Sequence, residues 1–138
     1  MIGLDTNILA RYYIADAGDA EASRQHELAR RLIESGQPLM VCKTVLLEFE
    51  WLMRGYYGFS AAEVATVMAH LCALPNMLIE DRDTVTQALS HCTAGLEFAD
   101  ALHHASYRGC RGMASFDDRK FARRAKRLGL MPAVVVPK

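Results

Sequence analysis

Short apolar runs alternate with longer stretches of helical period along this 138-residue chain, and that alternation constrains the fold more than any other feature. The runs lie at residues 1–4, 39–42, 77–79, 113–115 and 133–136. Between them, recurrence of apolar residues every three to four positions predicts helices over 7–13, 20–35, 44–57, 60–74, 81–93, 99–108 and 118–128. Gly36 closes the second of these and Gly129 the last, while Ser60 with Glu63 forms a capping box at the start of the fourth. Strands joined through helices pair in parallel and are covered on both faces, so the expected fold is a three-layer α/β/α arrangement with a mainly parallel sheet of about five strands. The length fits one domain, 1–138, and the 51% of hydrophobic residues is enough to bury a full core.

The same sequence excludes several classes. No apolar run approaches the ~20 residues that span a bilayer, and Met1-Ile2-Gly3-Leu4-Asp5 lacks the basic start and apolar stretch of a signal peptide, so a cytoplasmic protein with no membrane partner is expected. Cys42, Cys72, Cys92 and Cys110 stand singly, without a C-x-x-C pair, and read as small core residues rather than zinc ligands or disulfides. Formal net charge is zero, but residues 1–95 hold twelve acids and seven Lys or Arg, whereas residues 96–138 hold four acids and nine bases. The carboxyl-terminal third is therefore basic, with Arg119, Lys120, Arg123, Arg124, Lys126 and Arg127 on its last long helix. Such a helix can bind an RNA backbone or form a solvated face.

Four carboxylates occupy positions where a freely solvated acid is not expected. Asp5 ends the first strand between apolar runs, and Asp117 follows the fourth in Ala114-Ser115-Phe116-Asp117. Open parallel sheets bind ligands outside the carboxyl ends of their strands, which is where both aspartates fall. Glu48 lies among Val45-Leu46-Leu47-Glu48-Phe49, and Asp100 in the first turn of the helix after Gly95. Each has a structural reading too, because carboxylates favour first helical turns and Asp5 can cap the helix that follows it. Jointly, carboxylates converging on one crevice repel unless a divalent cation neutralises them. An all-oxygen set suits Mg²⁺ or Mn²⁺. Oxygens of Asp5, Asp100 and Asp117 are then expected near one shared point, with Glu48 reaching it directly or through water.

In order along the chain stand Gly3-Leu4-Asp5-Thr6-Asn7-Ile8-Leu9 with Arg11-Tyr12, Val45-Leu46-Leu47-Glu48-Phe49-Glu50-Trp51-Leu52, Gly95-Leu96-Glu97-Phe98-Ala99-Asp100-Ala101-Leu102, and Ser115-Phe116-Asp117 with Phe121. With these blocks the chain resembles the PIN-domain ribonucleases, most of all the toxin half of VapBC-type toxin-antitoxin pairs. The resemblance implies Asp5, Glu48, Asp100 and Asp117 as the acidic site holding Mg²⁺ or Mn²⁺. It assigns supporting roles to Asn7 and Ser115 and makes Glu97 the nearest match to a further family acid. It also implies hydrolysis of RNA to 5′-phosphate and 3′-hydroxyl ends, a homodimer, and a small antitoxin protein as partner.

Other readings meet obstacles in the residues. A haloacid dehalogenase-type phosphatase needs a second carboxylate two positions after its first, where this chain has Asn7, and a receiver domain needs a late lysine where this chain has Ser115-Phe116-Asp117. A metal-free ribonuclease would use histidine acid-base chemistry, for which His103 and His104 are the available pair; they read instead as surface or supporting residues. The rival of a different class is a non-catalytic PIN-like module that binds RNA or protein. Phe49, Trp51, Tyr56, Tyr57 and Phe59 cluster in one short region and are expected mostly in the core, with a partner surface as the alternative.

Overall fold

The computed structural model describes residues 1–16 and 18–138, which form two compact units, Met1–Glu80 and Asp81–Lys138. In the first unit the apolar runs become three short strands, β1 (Ile2–Gly3), β2 (Leu39–Val41) and β3 (Met77–Ile79), in the order β1-β2-β3. Both pairings are parallel, with Ile2 opposite Leu39 and Leu39 opposite Met77. Leu39 and Val41 of the central strand are fully buried, as a strand covered on both faces requires. Two helices make each crossover: α1 (Thr6–Tyr13) and α2 (Ala20–Ile33) link β1 to β2, and α3 (Lys43–Trp51) and α4 (Ala61–Ala73) link β2 to β3.

Helix ends follow from local chemistry. Asp19 accepts from the backbone N–H groups of Glu21 and Ala22 to start α2, and the reciprocal bonds of Ser60 and Glu63 complete the capping box of α4. Cys42 gives α3 no side-chain cap; the carboxylate of Glu80, just after β3, accepts from the Lys43 N–H at 2.8 Å instead. The charged face of α2 is laced by pairs at i,i+3 and i,i+4, including Arg30 with Glu27 and Glu34.

The second unit contains α5 (Arg82–Thr93), α6 (Phe98–Ser106), β4 (Gly112–Ala114), α7 (Arg123–Arg127) and β5 (Ala133–Val135). Helices α5 and α6 pack against each other through a tight turn in which Gly95 holds φ +119°, a conformation that a side chain would strain. His104 of α6 is completely buried, and its Nε2 donates to the Pro132 carbonyl at 2.8 Å, which anchors the approach to β5. Its ring lies 6.1 Å from that of His91, whose imidazole is pushed below its usual range by burial and by the neighbouring histidine.

Three expectations need correction. The pairing is parallel throughout the described residues, but the five strands form one three-stranded and one two-stranded sheet rather than a single ladder. Strand β1 is only Ile2–Gly3, and β4 offers Gly112 and Ala114, so neither presents the apolar face that favours a wider sheet. The helix expected over 44–57 ends its α-helical part at Trp51 and continues as a π-helical turn, Leu52–Tyr56. Leu46, Phe49, Glu50 and Met53 form its buried face, so Phe49 is buried while Trp51 is 57% and Tyr56 72% exposed. The four cysteines are free, as expected, but three are half-buried and Cys110 is exposed, so none belongs to the core.

Candidate active site

The first unit holds Asp5 and Glu48 around one threonine. The ladder bond from Leu4 N–H to the Met40 carbonyl, 2.8 Å, fixes the strand end from which Asp5 emerges. Asp5 then caps α1: its Oδ1 accepts from the Thr6 N–H at 2.8 Å, and its carbonyl accepts from the Ile8 N–H at 3.1 Å. The buried Thr6 hydroxyl donates to Glu48 Oε1 in a short hydrogen bond, linking the first turn of α1 to α3. Leu46, Phe49 and Met53 have no exposed surface, and they set the orientation of α3 that turns Glu48 outward.

Glu48 is thus exposed, whereas its apolar neighbours predict a shielded position. The buried carboxylate of α3 is Glu50, 4% exposed, which accepts from Arg54 Nε at 2.8 Å. Leu46, Phe49, Glu50 and Met53 lie at the i, i+3, i+4 and i+7 spacing of one buried helical face, which turns Glu50 inward and Glu48 outward although both have apolar neighbours in sequence. Thr6 and Glu80 also escape sequence inspection. Their signals are modest, a hydroxyl directly after the strand-ending Asp5 and a carboxylate directly after Ile79 of β3.

The second unit holds Asp100 and Asp117. Asp100 is half-buried in the first turn of α6, and its carboxyl is raised above the usual range by burial, then by the negative charges of Glu97 and Asp117. His103 and Arg124 oppose that shift. Asp117 caps the π-helical turn Asp118–Ala122, its Oδ1 accepting from the N–H groups of Lys120 at 3.0 Å and Phe121 at 3.4 Å. Ser115 supports it from behind, since the Ser115 hydroxyl oxygen accepts from the Asp117 N–H at 3.1 Å.

Glu97 precedes α6 without capping it, and its negative charge acts on Asp100. Asn7 is exposed in the first turn of α1. His103 is exposed and His104 is sealed in the core with its Nε2 committed to Pro132, so the two do not form an acid-base pair. Among the described residues no three of the His, Cys, Asp and Glu side chains stand close enough to hold a metal ion. What the units contain are Asp5 with Glu48 across Thr6 in one, and Asp100 under the charges of Asp117 and Glu97 in the other.

The capping bond of Asp5 gives a prediction about stability. Asp5→Ala removes the acceptor of the Thr6 N–H and should cost about 1 kcal/mol, whereas Asp5→Asn keeps an amide oxygen there and should unfold in urea within a few tenths of a kcal/mol of wild type. Equal losses in the two variants would mean that the carboxylate charge, and not the cap, stabilises this turn.

No protein-family model and no curated protein matches the chain. Among solved structures, the chain is similar to VapC20 of Mycobacterium tuberculosis, a sarcin-ricin loop cleaving toxin, with 26% sequence identity over 86% of this chain and 92% of that one and a TM-score of 0.41.

Proposed function

We propose that this chain is a metal-dependent ribonuclease of the PIN-domain type, the toxin of a type II toxin-antitoxin pair, with residues 1–138 as a single domain. Asp5, Glu48, Asp100 and Asp117 are its catalytic acids and the ligands of Mg²⁺ or Mn²⁺. The observation that carries this reading is the state of Asp100: a half-buried carboxylate whose ionised form is disfavoured by its surroundings and by two neighbouring acids. Such a group gains most from a cation, and a donor set made only of carboxylate oxygens fits a hard divalent metal. When bound, that metal would lower the pKa of water and neutralise charge developing on the phosphodiester.

The chain's own residues orient the acids. Thr6 holds one oxygen of Glu48, and the main-chain N–H of Thr6 holds one oxygen of Asp5. Ser115 fixes the backbone of Asp117, and the N–H groups of Lys120 and Phe121 take its Oδ1. The carboxylates of Asp5, Glu48 and Asp117 are thereby restrained before substrate arrives, which lowers the entropy lost on forming a productive complex. Hydrolysis breaks the bond between phosphorus and the 3′ oxygen, leaving the 5′-phosphate and 3′-hydroxyl ends that the sequence resemblance implies.

A homodimer and a small antitoxin belong to the same proposal. The exposed Trp51 and Tyr56, large aromatics before and at the end of a π-helical turn, support a protein-binding face. No helix among the described residues is long and apolar enough to cross a membrane. The test is to induce wild type and Asp5→Asn in cells and map all RNA 5′ ends. New ends carrying 5′-phosphate with wild type alone are expected. Identical ends in both would leave a non-catalytic binding module as the better reading.

A further inference from the structure

The cations of this protein fall into two groups that differ in whether an acid neutralises them. On α2, Arg24 pairs with Glu21 at 2.8 Å, Arg30 with Glu27 at 2.6 Å and Arg31 with Glu27 at 3.2 Å. On the carboxyl-terminal helical segment, Arg119, Lys120, Arg123, Lys126 and Arg127 are all exposed, and none has an ion pair among the described residues. Arg124 is set apart from them, since its Nη1 donates to the Gly95 carbonyl at 3.1 Å and ties α7 to the turn before α6. The two acids nearest in sequence, Asp117 and Asp118, form no ion pair with these cations among the described residues, and Asp117 already accepts two backbone N–H groups.

Unneutralised like charges on one short helix repel, a cost that the helix dipole offsets only for the cations of the last turn, Lys126 and Arg127. Their arrangement is directional as well. Arg119, Arg123 and Lys126 follow at spacings of four and three residues, which places successive cations one turn apart along one face. Arg123 and Lys126, with one acid, Asp118, also edge a cavity of about 690 Å³ whose apolar wall includes Leu130, Val134 and Val136. A volume of this size is in the range of small-ligand sites, and its combination of cations beside an apolar wall matches a phosphate joined to a planar base.

We infer that the face of Arg119, Arg123 and Lys126 binds the sugar-phosphate backbone of single-stranded RNA, with one base lying in the cavity beside α7. This rests on the ribonuclease reading for the identity of the polyanion. An acidic peptide would satisfy the charges as well, but a regular row of cations one helical turn apart fits the regular repeat of a nucleic acid backbone better than the irregular charges of a protein segment.

Binding, measured without turnover, tests this. A fluorescent mixed-sequence single-stranded RNA is titrated against full-length Asp5→Asn in EDTA, over a series of salt concentrations. On that background, the triple variant Arg119→Ala, Arg123→Ala, Lys126→Ala should weaken binding about tenfold or more at low salt, and the slope of log affinity against log salt should fall by about 2, from about 0.7 per phosphate contact removed. The control triple Arg24→Ala, Arg30→Ala, Arg31→Ala changes net charge equally and should leave both quantities within about twofold of the parent, because those arginines are already neutralised. Equal losses in the two triples, or an unchanged slope in the first, overturn the proposal. So does displacement of the RNA by polyglutamate as readily as by unlabelled RNA, which would make the face an acidic-peptide site. Separate cleavage assays of wild type with Mg²⁺ keep the two readings apart: loss of binding in the first triple with no cleavage by wild type leaves the binding face standing and removes the nuclease, and cleavage with an unchanged slope does the reverse.

Discussion

Asp100→Asn should lower RNA cleavage by roughly 100-fold or more while leaving the metal-free protein at least as stable as wild type at neutral pH. The two effects have one origin. Burial and the charges of Glu97 and Asp117 hold the Asp100 carboxyl above its ordinary range, so ionising it in the folded protein is harder than in the unfolded chain. A carboxyl raised in this way contributes its full stability only below the unfolded pKa, near 3.9, and that contribution is lost as pH rises through the folded value. At pH 7 wild type therefore carries an unfavourable charge that Asn, of nearly the same shape, does not. In EDTA the variant should melt no lower than wild type at pH 7, and the difference should shrink as pH falls toward 4. Added Mg²⁺ or Mn²⁺ should raise the melting temperature of wild type and move the variant much less, since a ligand that binds only the native state stabilises by mass action. Thermal melts at two pH values, with and without metal, check each part. A variant that melts far below wild type in EDTA would make Asp100 a structural residue of α6 and detach its charge from any metal.

How much of this was legible in the residues differs from place to place. The five strands lie within a residue or two of the apolar runs, and their parallel pairing follows from the alternation, because a strand buried on both faces reads as a short continuous apolar run. The capping box of Ser60 and Glu63 was equally readable, since it depends on two side chains three residues apart and nothing distant. The π-helical turns Leu52–Tyr56 and Asp118–Ala122 were not, because they leave the apolar pattern roughly helical, and the exposure of Glu48 was hidden by its apolar neighbours, although the face of Leu46, Phe49, Glu50 and Met53 is the one that packs inward.

The site shows the same division. That Asp5 and Asp117 follow strands is a local fact, and each indeed emerges from a strand end to cap the turn after it. The contact of Thr6 with Glu48 spans 42 residues of sequence, and that of Lys43 N–H with Glu80 spans 37, so no window of sequence contains either. His104 illustrates the reverse difficulty. Beside His103 and one turn from Asp100 it looks chemical, yet its burial and its bond to Pro132 make it a core residue, a distinction set by which side of α6 packs on α5.

Metal dependence is the central claim, and the chemistry of the cut ends in a defined assay tests it most directly. Purified wild-type protein is incubated with a 5′-labelled RNA in EDTA, in EDTA followed by excess Mg²⁺, and in EDTA followed by excess Mn²⁺, and the fragments are identified by mass. Acidic-site hydrolysis predicts no cleavage in EDTA, its return with either metal, and fragments ending in 5′-phosphate and 3′-hydroxyl groups. Cleavage that persists in EDTA and yields 2′,3′-cyclic phosphate ends would contradict the account, because it would show attack by the ribose hydroxyl through acid-base side chains with no part for Asp5, Glu48, Asp100 and Asp117 as metal ligands.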